Sequence, residues 1–166
     1  MNIDISTERL RIRTIRISDA LFMVSLLNSP GWLTFIGDKK TRTIAECEKY
    51  IESVITNEEI IYSIAYLHDN TPIGAITLVK KDYLPEHDLG FAFLDKYQGK
   101  GYAFEASQAV LSCEWVKSMP FISAVVLKEN NLSIKLLQGL GFTFQELLHQ
   151  NKEDLCWYRW QNQTRV

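Results

Sequence analysis

Apolar and polar residues alternate from Arg9 to Arg16 (RLRIRTIR), with Leu10, Ile12 and Thr14 on one side and Arg9, Arg11 and Arg13 on the other. A period of two predicts a half-buried strand, its arginine row turned to solvent or to an acidic partner. Ser18-Asp19 then opens a helix carrying Leu21, Phe22, Val24, Ser25 and Leu27, which stops at Asn28-Ser29-Pro30-Gly31. From Pro30 to Thr43 no period holds. Trp32, Phe35, Ile36 and Gly37 make this an apolar loop, which either covers the core edge or walls a pocket. Thr43-Ile44-Ala45-Glu46 is a capping box, launching a second helix through Tyr50, Ile51, Val54 and Ile55. Strands follow near 59–67 and 72–80, joined by the turn residues His68-Asp69-Asn70-Thr71, and a third near 88–94 completes an antiparallel meander.

The next stretch changes period. The run 88–94 alternates like a strand, and Ala103, Ala106, Val110 and Cys113 recur at helical spacing, with Gly99 and Gly101 in the turn between. Glycines at alternate positions let backbone N–H groups converge, and the helix adds its unpaired N–H groups and positive dipole end. Strand, glycine turn and helix together form an anion cradle, most often for a phosphate. Beyond it, 121–127 (FISAVVL) is a buried strand, Glu129-Asn130-Asn131 caps a helix ending at Gly139 or Gly141, and two strands lie near 142–148 and 154–161. The sum is about seven strands and four helices, a mixed α/β sandwich with a mostly antiparallel sheet in the middle.

Composition narrows the classes. The chain has 166 residues, 46% hydrophobic and 23% charged, which suits a single domain spanning 1–166. A net charge of -2 supplies no overall footprint for nucleic acid. Cys47, Cys113 and Cys156 are odd in number and widely spaced, so buried thiols are expected, with no disulfide framework and no metal site. No apolar run approaches the roughly 18 residues of a membrane span, and MNIDISTERLRIRT lacks a signal-peptide core. A cytoplasmic protein, monomer or homodimer, is the expectation.

Spacing separates the phosphate ligands. No G-x-x-x-x-G-K-[ST] occurs, which removes the Walker loop. A dinucleotide fingerprint needs Gly or Ala where Phe104 stands, and the next acidic residue after a strand, Glu129, lies beyond the usual distance of about 20 residues. Gln98-x-x-Gly101-x-Ala103 instead resembles the pyrophosphate turn, Q/R-x-x-G-x-G/A, of the GCN5-related N-acetyltransferase (GNAT) superfamily. The wider run from Leu89-Gly90-Phe91 to Glu105-Ala106, with Thr7-Glu8-Arg9-Leu10-Arg11-Ile12-Arg13, is similar to the subgroup that acetylates ribosomal-protein N-termini (RimJ/RimL-like). Asn130-Asn131-Leu132-Ser133 through Leu140-Gly141-Phe142 is similar to the family's N-x-x-[AS] to G-F segment.

The resemblance implies acetyl-CoA as acetyl donor and a primary amine as acceptor. It implies phosphate binding at Gln98, Gly99, Lys100, Gly101, Tyr102 and Ala103. It also implies a strand at Phe91, Ala92 and Phe93 that splays to receive pantetheine, and Asn130 and Ser133 beside the thioester. Asn130 and Ser133 are three residues apart and share a helix face; without the neighbouring motif, an N-cap and a tolerated helical serine would be the preferred account of them. Many relatives carry a tyrosine acid where Leu137 stands, and Ser133, directly or through water, is the expected replacement. Glu86, His87, Asp88 and Glu105 are candidate bases beside a water chain, although the helix dipole alone accounts for Glu105. Direct attack by an N-terminal amine is expected. A polyamine or aminoglycoside acceptor, which predicts a closed acidic pocket, and a non-catalytic coenzyme A sensor are the alternatives.

Overall fold

The protein is described by a computed structural model over residues 2–162. The strands are β1 (Asp4–Ser6), β2 (Leu10–Thr14), β3 (Ile60–Leu67), β4 (Pro72–Val79), β5 (Asp88–Phe93), β6 (Ile122–Leu127), β7 (Thr143–Gln150) and β8 (Glu153–Trp160). The helices are α1 (Ala20–Leu27), α2 (Pro30–Phe35), α3 (Ile44–Ile55), α4 (Tyr102–Leu111), α5 (Glu114–Lys117) and α6 (Asn131–Gly139), with short 3-10 turns at Ile17–Asp19 and Asp95–Tyr97. One sheet holds all eight strands in the order β1-β2-β3-β4-β5-β6-β8-β7. Neighbours are antiparallel except β5 beside β6, which are parallel.

The sheet separates two cores. On one face Met23, Leu26 and Leu27 of α1 and Ile51 and Val54 of α3 pack with Tyr62 and Ile64 of β3. On the other, Ala106 and Val110 of α4 and Leu137 of α6 pack with Leu10, Ile12 and Ile76. The mixed α/β sandwich expected from the sequence is thus present. The capping box is formed as well: Thr43 Oγ1 accepts from the Glu46 N–H at 3.2 Å, and Glu46 Oε2 from the Thr43 N–H at 3.0 Å.

The element count is higher than the sequence pattern suggested. β1 is only three residues long, too short to show a period, and exists by pairing with β2. The segment expected as an apolar loop contains α2, with Pro30 at its first turn, where a missing N–H costs nothing. A one-turn helix, α5, follows α4. On α1 the buried residues are Ala20, Met23, Leu26 and Leu27, while Leu21 is 68% exposed. ALFMVSLL is apolar almost all round, so packing, not pattern, selected the stripe that faces inward.

The arginine row is ion-paired, with Arg9 and Arg11 still exposed and Arg13 half-buried. Arg11 makes a bidentate pair with Asp4 of β1, at 3.0 and 2.9 Å. Arg13 does the same with the buried Asp19, at 2.9 and 2.8 Å, and Tyr66 joins that cluster through its hydroxyl.

Candidate active site

β5 and β6 meet at one register pair, Asp88 opposite Ser123. There the Ser123 N–H donates to the His87 carbonyl at 2.9 Å. A continued parallel ladder would send the Val125 N–H to the Leu89 carbonyl. It donates instead to Asp88 Oδ1 at 2.8 Å, while Asp88 Oδ2 lies 2.6 Å from Lys81 Nζ. The carboxylate ends the ladder, and the strands part beyond it. Burial pushes the Asp88 carboxyl up, outweighing the Lys81 ammonium and the Val125 N–H that favour its charged form.

The parting leaves an open edge. The Leu94 N–H donates to the Ile73 carbonyl, and Ala92 stands opposite Ala75 in the same register. Backbone groups point to alternate sides along a strand, so Ala92 bonds toward β4 while Phe91 and Phe93 face the gap. The Phe93 carbonyl accepts from Gln98 Nε2 at 3.1 Å. Phe91 therefore presents both its N–H and its carbonyl, and Phe93 its N–H. Groups so placed can bond an extended ligand as an added strand.

At the end of β5 the chain makes its 3-10 turn and enters the glycine turn. Gly99 has φ +70° and Gly101 φ +81°, both in the left-handed region. Gly101 is also the N-cap of α4, so no side chain caps that helix, and its first N–H groups remain available. Lys96 and Lys100 bring positive charge to the turn, their ammonium groups 5.1 and 5.9 Å from the Tyr97 ring centroid. An anion can bind such a start.

Across the gap, Asn130 Oδ1 caps α6 by accepting from the Ser133 N–H at 3.2 Å. This occupies the amide oxygen and leaves the Asn130 NH₂ as its donor. A cavity of about 710 Å³ runs along the gap from the glycine turn to Trp32, Tyr50 and Tyr62. Every residue expected to bind the phosphates, the pantetheine arm or the thioester lines it except Lys100. Leu137 is fully buried in the core and offers the cavity nothing, whereas Leu136 lines it.

The family model for the acetyltransferase (GNAT) domain matches residues 9–143. The chain belongs to the GNAT acetyltransferases. It is an acetyl-CoA-dependent N-acetyltransferase. A GNAT-family acetyltransferase from Bacillus anthracis has a similar structure, with a TM-score of 0.79 at 22% identity over 95% of this chain and 97% of that one. A ribosomal-protein-S5-alanine acetyltransferase from Vibrio fischeri is similar at a TM-score of 0.80 and 18% identity, over 99% of each chain. Spermidine N-acetyltransferase from Vibrio cholerae, solved with CoA and spermine, gives 0.78 and 17% over 92% and 95%. No curated protein matches the chain. No helix among the described residues is long and apolar enough to cross a membrane.

Within this GNAT site the expected bases separate. Glu105 does not line the cavity; it accepts from Thr7 Oγ1, the Arg9 N–H and Arg9 Nε at 2.6, 2.9 and 2.6 Å. Partial burial raises its carboxyl, but those bonds prevail and hold it below the usual range. Glu86 and His87 also lie off the cavity, and Asp88 alone of the four reaches it. None of the three cysteines lines it, and burial pushes the Cys47 thiol up to about 11. Trp32, Phe35 and Ile36 do wall the cavity, one of the two outcomes their sequence left open. Tyr50, Tyr62 and Lys81 had no sequence signal, because only the packing of α3 on β3 and the pairing of β3, β4 and β5 bring them there.

Proposed function

We propose that this GNAT chain, acting as a single acyltransferase domain, transfers the acetyl group of acetyl-CoA to the α-amino group of a protein N-terminus. The observation that carries this reading is the make-up of the acceptor half of the cavity. Its wall is aromatic (Trp32, Phe35, Tyr50, Tyr62 and Tyr83), with Lys39 and Lys81 beside it. Among the described lining residues the carboxylates are Asp88, already paired with Lys81, and Glu153. A polyamine buries several ammonium groups and needs a carboxylate for each, or it loses its hydration without return. A peptide brings one amine with neutral amides behind it. Its α-amine, with a pKa of about 7.7–8.0, is substantially neutral near pH 8 and needs little help from a base.

The chain's own groups divide the work. The N–H groups of the Gly99 to Ala103 turn hold the pyrophosphate, with Gln98 and Lys100 supporting the turn, and Phe91 and Phe93 bond the pantetheine arm, Ala92 adding its side chain to the wall. Attack by the neutral amine is direct, because no cysteine reaches the cavity to carry the acetyl group. The Ser133 hydroxyl, on the cavity side of α6, gives a proton to the departing thiolate, directly or through water, and recovers one from the amine nitrogen as the amide forms, while the Asn130 NH₂ orients the thioester end.

Release of free thiol from acetyl-CoA, followed with N-terminal peptides, spermidine and an aminoglycoside, tests the acceptor. Peptides are expected to accelerate release and the polycations to leave it at the background rate. Turnover of spermidine with no response to peptides would overturn the reading.

A further inference from the structure

Arg9 lies 91 residues before Lys100 in the chain, yet its guanidinium rests on the glycine turn. Arg9 Nη1 donates to the Lys100 carbonyl at 2.8 Å. Arg9 Nε donates to Glu105 Oε2 at 2.6 Å, and the Arg9 N–H to Glu105 Oε1 at 2.9 Å. Thr7 Oγ1 donates to the same Oε1 at 2.6 Å. The guanidinium carbon stands 4.5 Å from the Tyr102 ring centroid, and Nη2 is 3.2 Å from where a Cβ on Gly101 would be. The loop between β1 and β2, the turn and the first turn of α4 are thus tied at one point.

The tie has a directional consequence. A trans peptide is planar, and its C=O and N–H point opposite ways. With the Lys100 carbonyl held by Arg9, the N–H of Gly101 must face away from the guanidinium. Gly101 lines the cavity on that other side.

We propose that Arg9, held by Glu105, is a positioning residue for the donor site: it fixes the Lys100–Gly101 peptide so that its N–H is presented to the pyrophosphate before the ligand arrives. The inference rests on the reading of Gln98 to Ala103 as the pyrophosphate turn. Gly101, at one end of that peptide, accepts either sign of φ and so eases a flip, and each flipped copy has to be reoriented at the expense of binding. A fork is required for the task, since one arm takes a carbonyl and another a carboxylate. A lysine has no such geometry.

The test compares two acetyl donors, acetyl-CoA and S-acetylpantetheine, which lacks the pyrophosphate. With Arg9→Met, KM for acetyl-CoA is expected to rise about tenfold, the loss of one oriented hydrogen bond, with kcat within about twofold. Kinetics with S-acetylpantetheine should not change. Arg9→Lys should recover only part of the loss. An unchanged KM for acetyl-CoA, or an equal loss with both donors, would overturn the proposal. If Arg9→Met does not fold, Glu105→Gln, which loosens the guanidinium and leaves Arg9 in place, is read with the same two donors and the same criteria. A wild-type enzyme that does not distinguish the donors would overturn the pyrophosphate assignment itself, and the role of Arg9 with it.

Discussion

Gly101 carries two constraints at one residue. Its φ of +81° costs a residue with a side chain about 1–2 kcal/mol, and a Cβ there would also press on Arg9 Nη2. Gly101→Val is therefore expected to weaken acetyl-CoA binding at least tenfold by calorimetric titration, and wild-type affinity would remove the turn from the donor site. Ser133 carries the chemical question, because Leu137 has no proton to give and is sealed in the core. Loss of a positioned acid costs about 10²-fold or more. Ser133→Ala should thus lower kcat by about that factor, with little change in the KM for acetyl-CoA; an unaltered kcat would assign the proton to water. Both residues were visible in the sequence, through spacing. Arg9 was visible only as one member of a charged row, since nothing local reveals that it reaches a turn so far along the chain.

At the scale of elements, the site depends on two strands that fail to pair. The failure has a specific agent, the Asp88 carboxylate, which takes the Val125 N–H and is paired with Lys81. Removing one partner of a buried pair typically costs about 3 kcal/mol or more. Asp88→Ala is expected to lose about 3 kcal/mol of stability in denaturant titrations, and to lose acetyl-CoA affinity as the ends of β5 and β6 become free to draw together. Unchanged coenzyme affinity in a folded Asp88→Ala protein would show that the gap needs no wedge. The capping box of α3 was legible because its partners lie three residues apart. α2 was not, since six residues hold no reliable period, and its start is marked only by Pro30.

On the scale of the whole molecule, the two cores are joined across the sheet, and charged pairs pin its far edge. Asp19 opposes burial with bonds from Arg13, Tyr66 and the Arg16 N–H, and its carboxyl ends below 3.8. A carboxyl lowered on folding contributes fully above its unfolded value and loses that contribution as pH falls through the lower folded one. Glu105 behaves the same way from 4.5. Asp88 acts oppositely: its value is raised, so its ionisation opposes folding as pH climbs through the folded value. Melting followed by circular dichroism from pH 7 to pH 2 should show the stabilisation by Asp19 lost as the pH falls below about 3.8. Asp19→Asn should cost about 3 kcal/mol at pH 7 and flatten the acid limb; an identical limb in that variant would place acid sensitivity elsewhere.

The sequence by itself determined the periods of its longer strands and helices, the capping box, the glycine turn before α4 and the order of motifs that marks a GNAT acetyltransferase. These are local features, fixed by side-chain alternation and by conformations that only glycine adopts easily. The tertiary structure alone decided which stripe of α1 faces inward, that Asp88 stands where β5 and β6 part, that Arg9 bonds the glycine turn, and that aromatic residues of α2, α3 and β3 wall the cavity. Each of those depends on residues tens of positions apart meeting across a sheet, where pairing register and burial, not sequence spacing, set who touches whom.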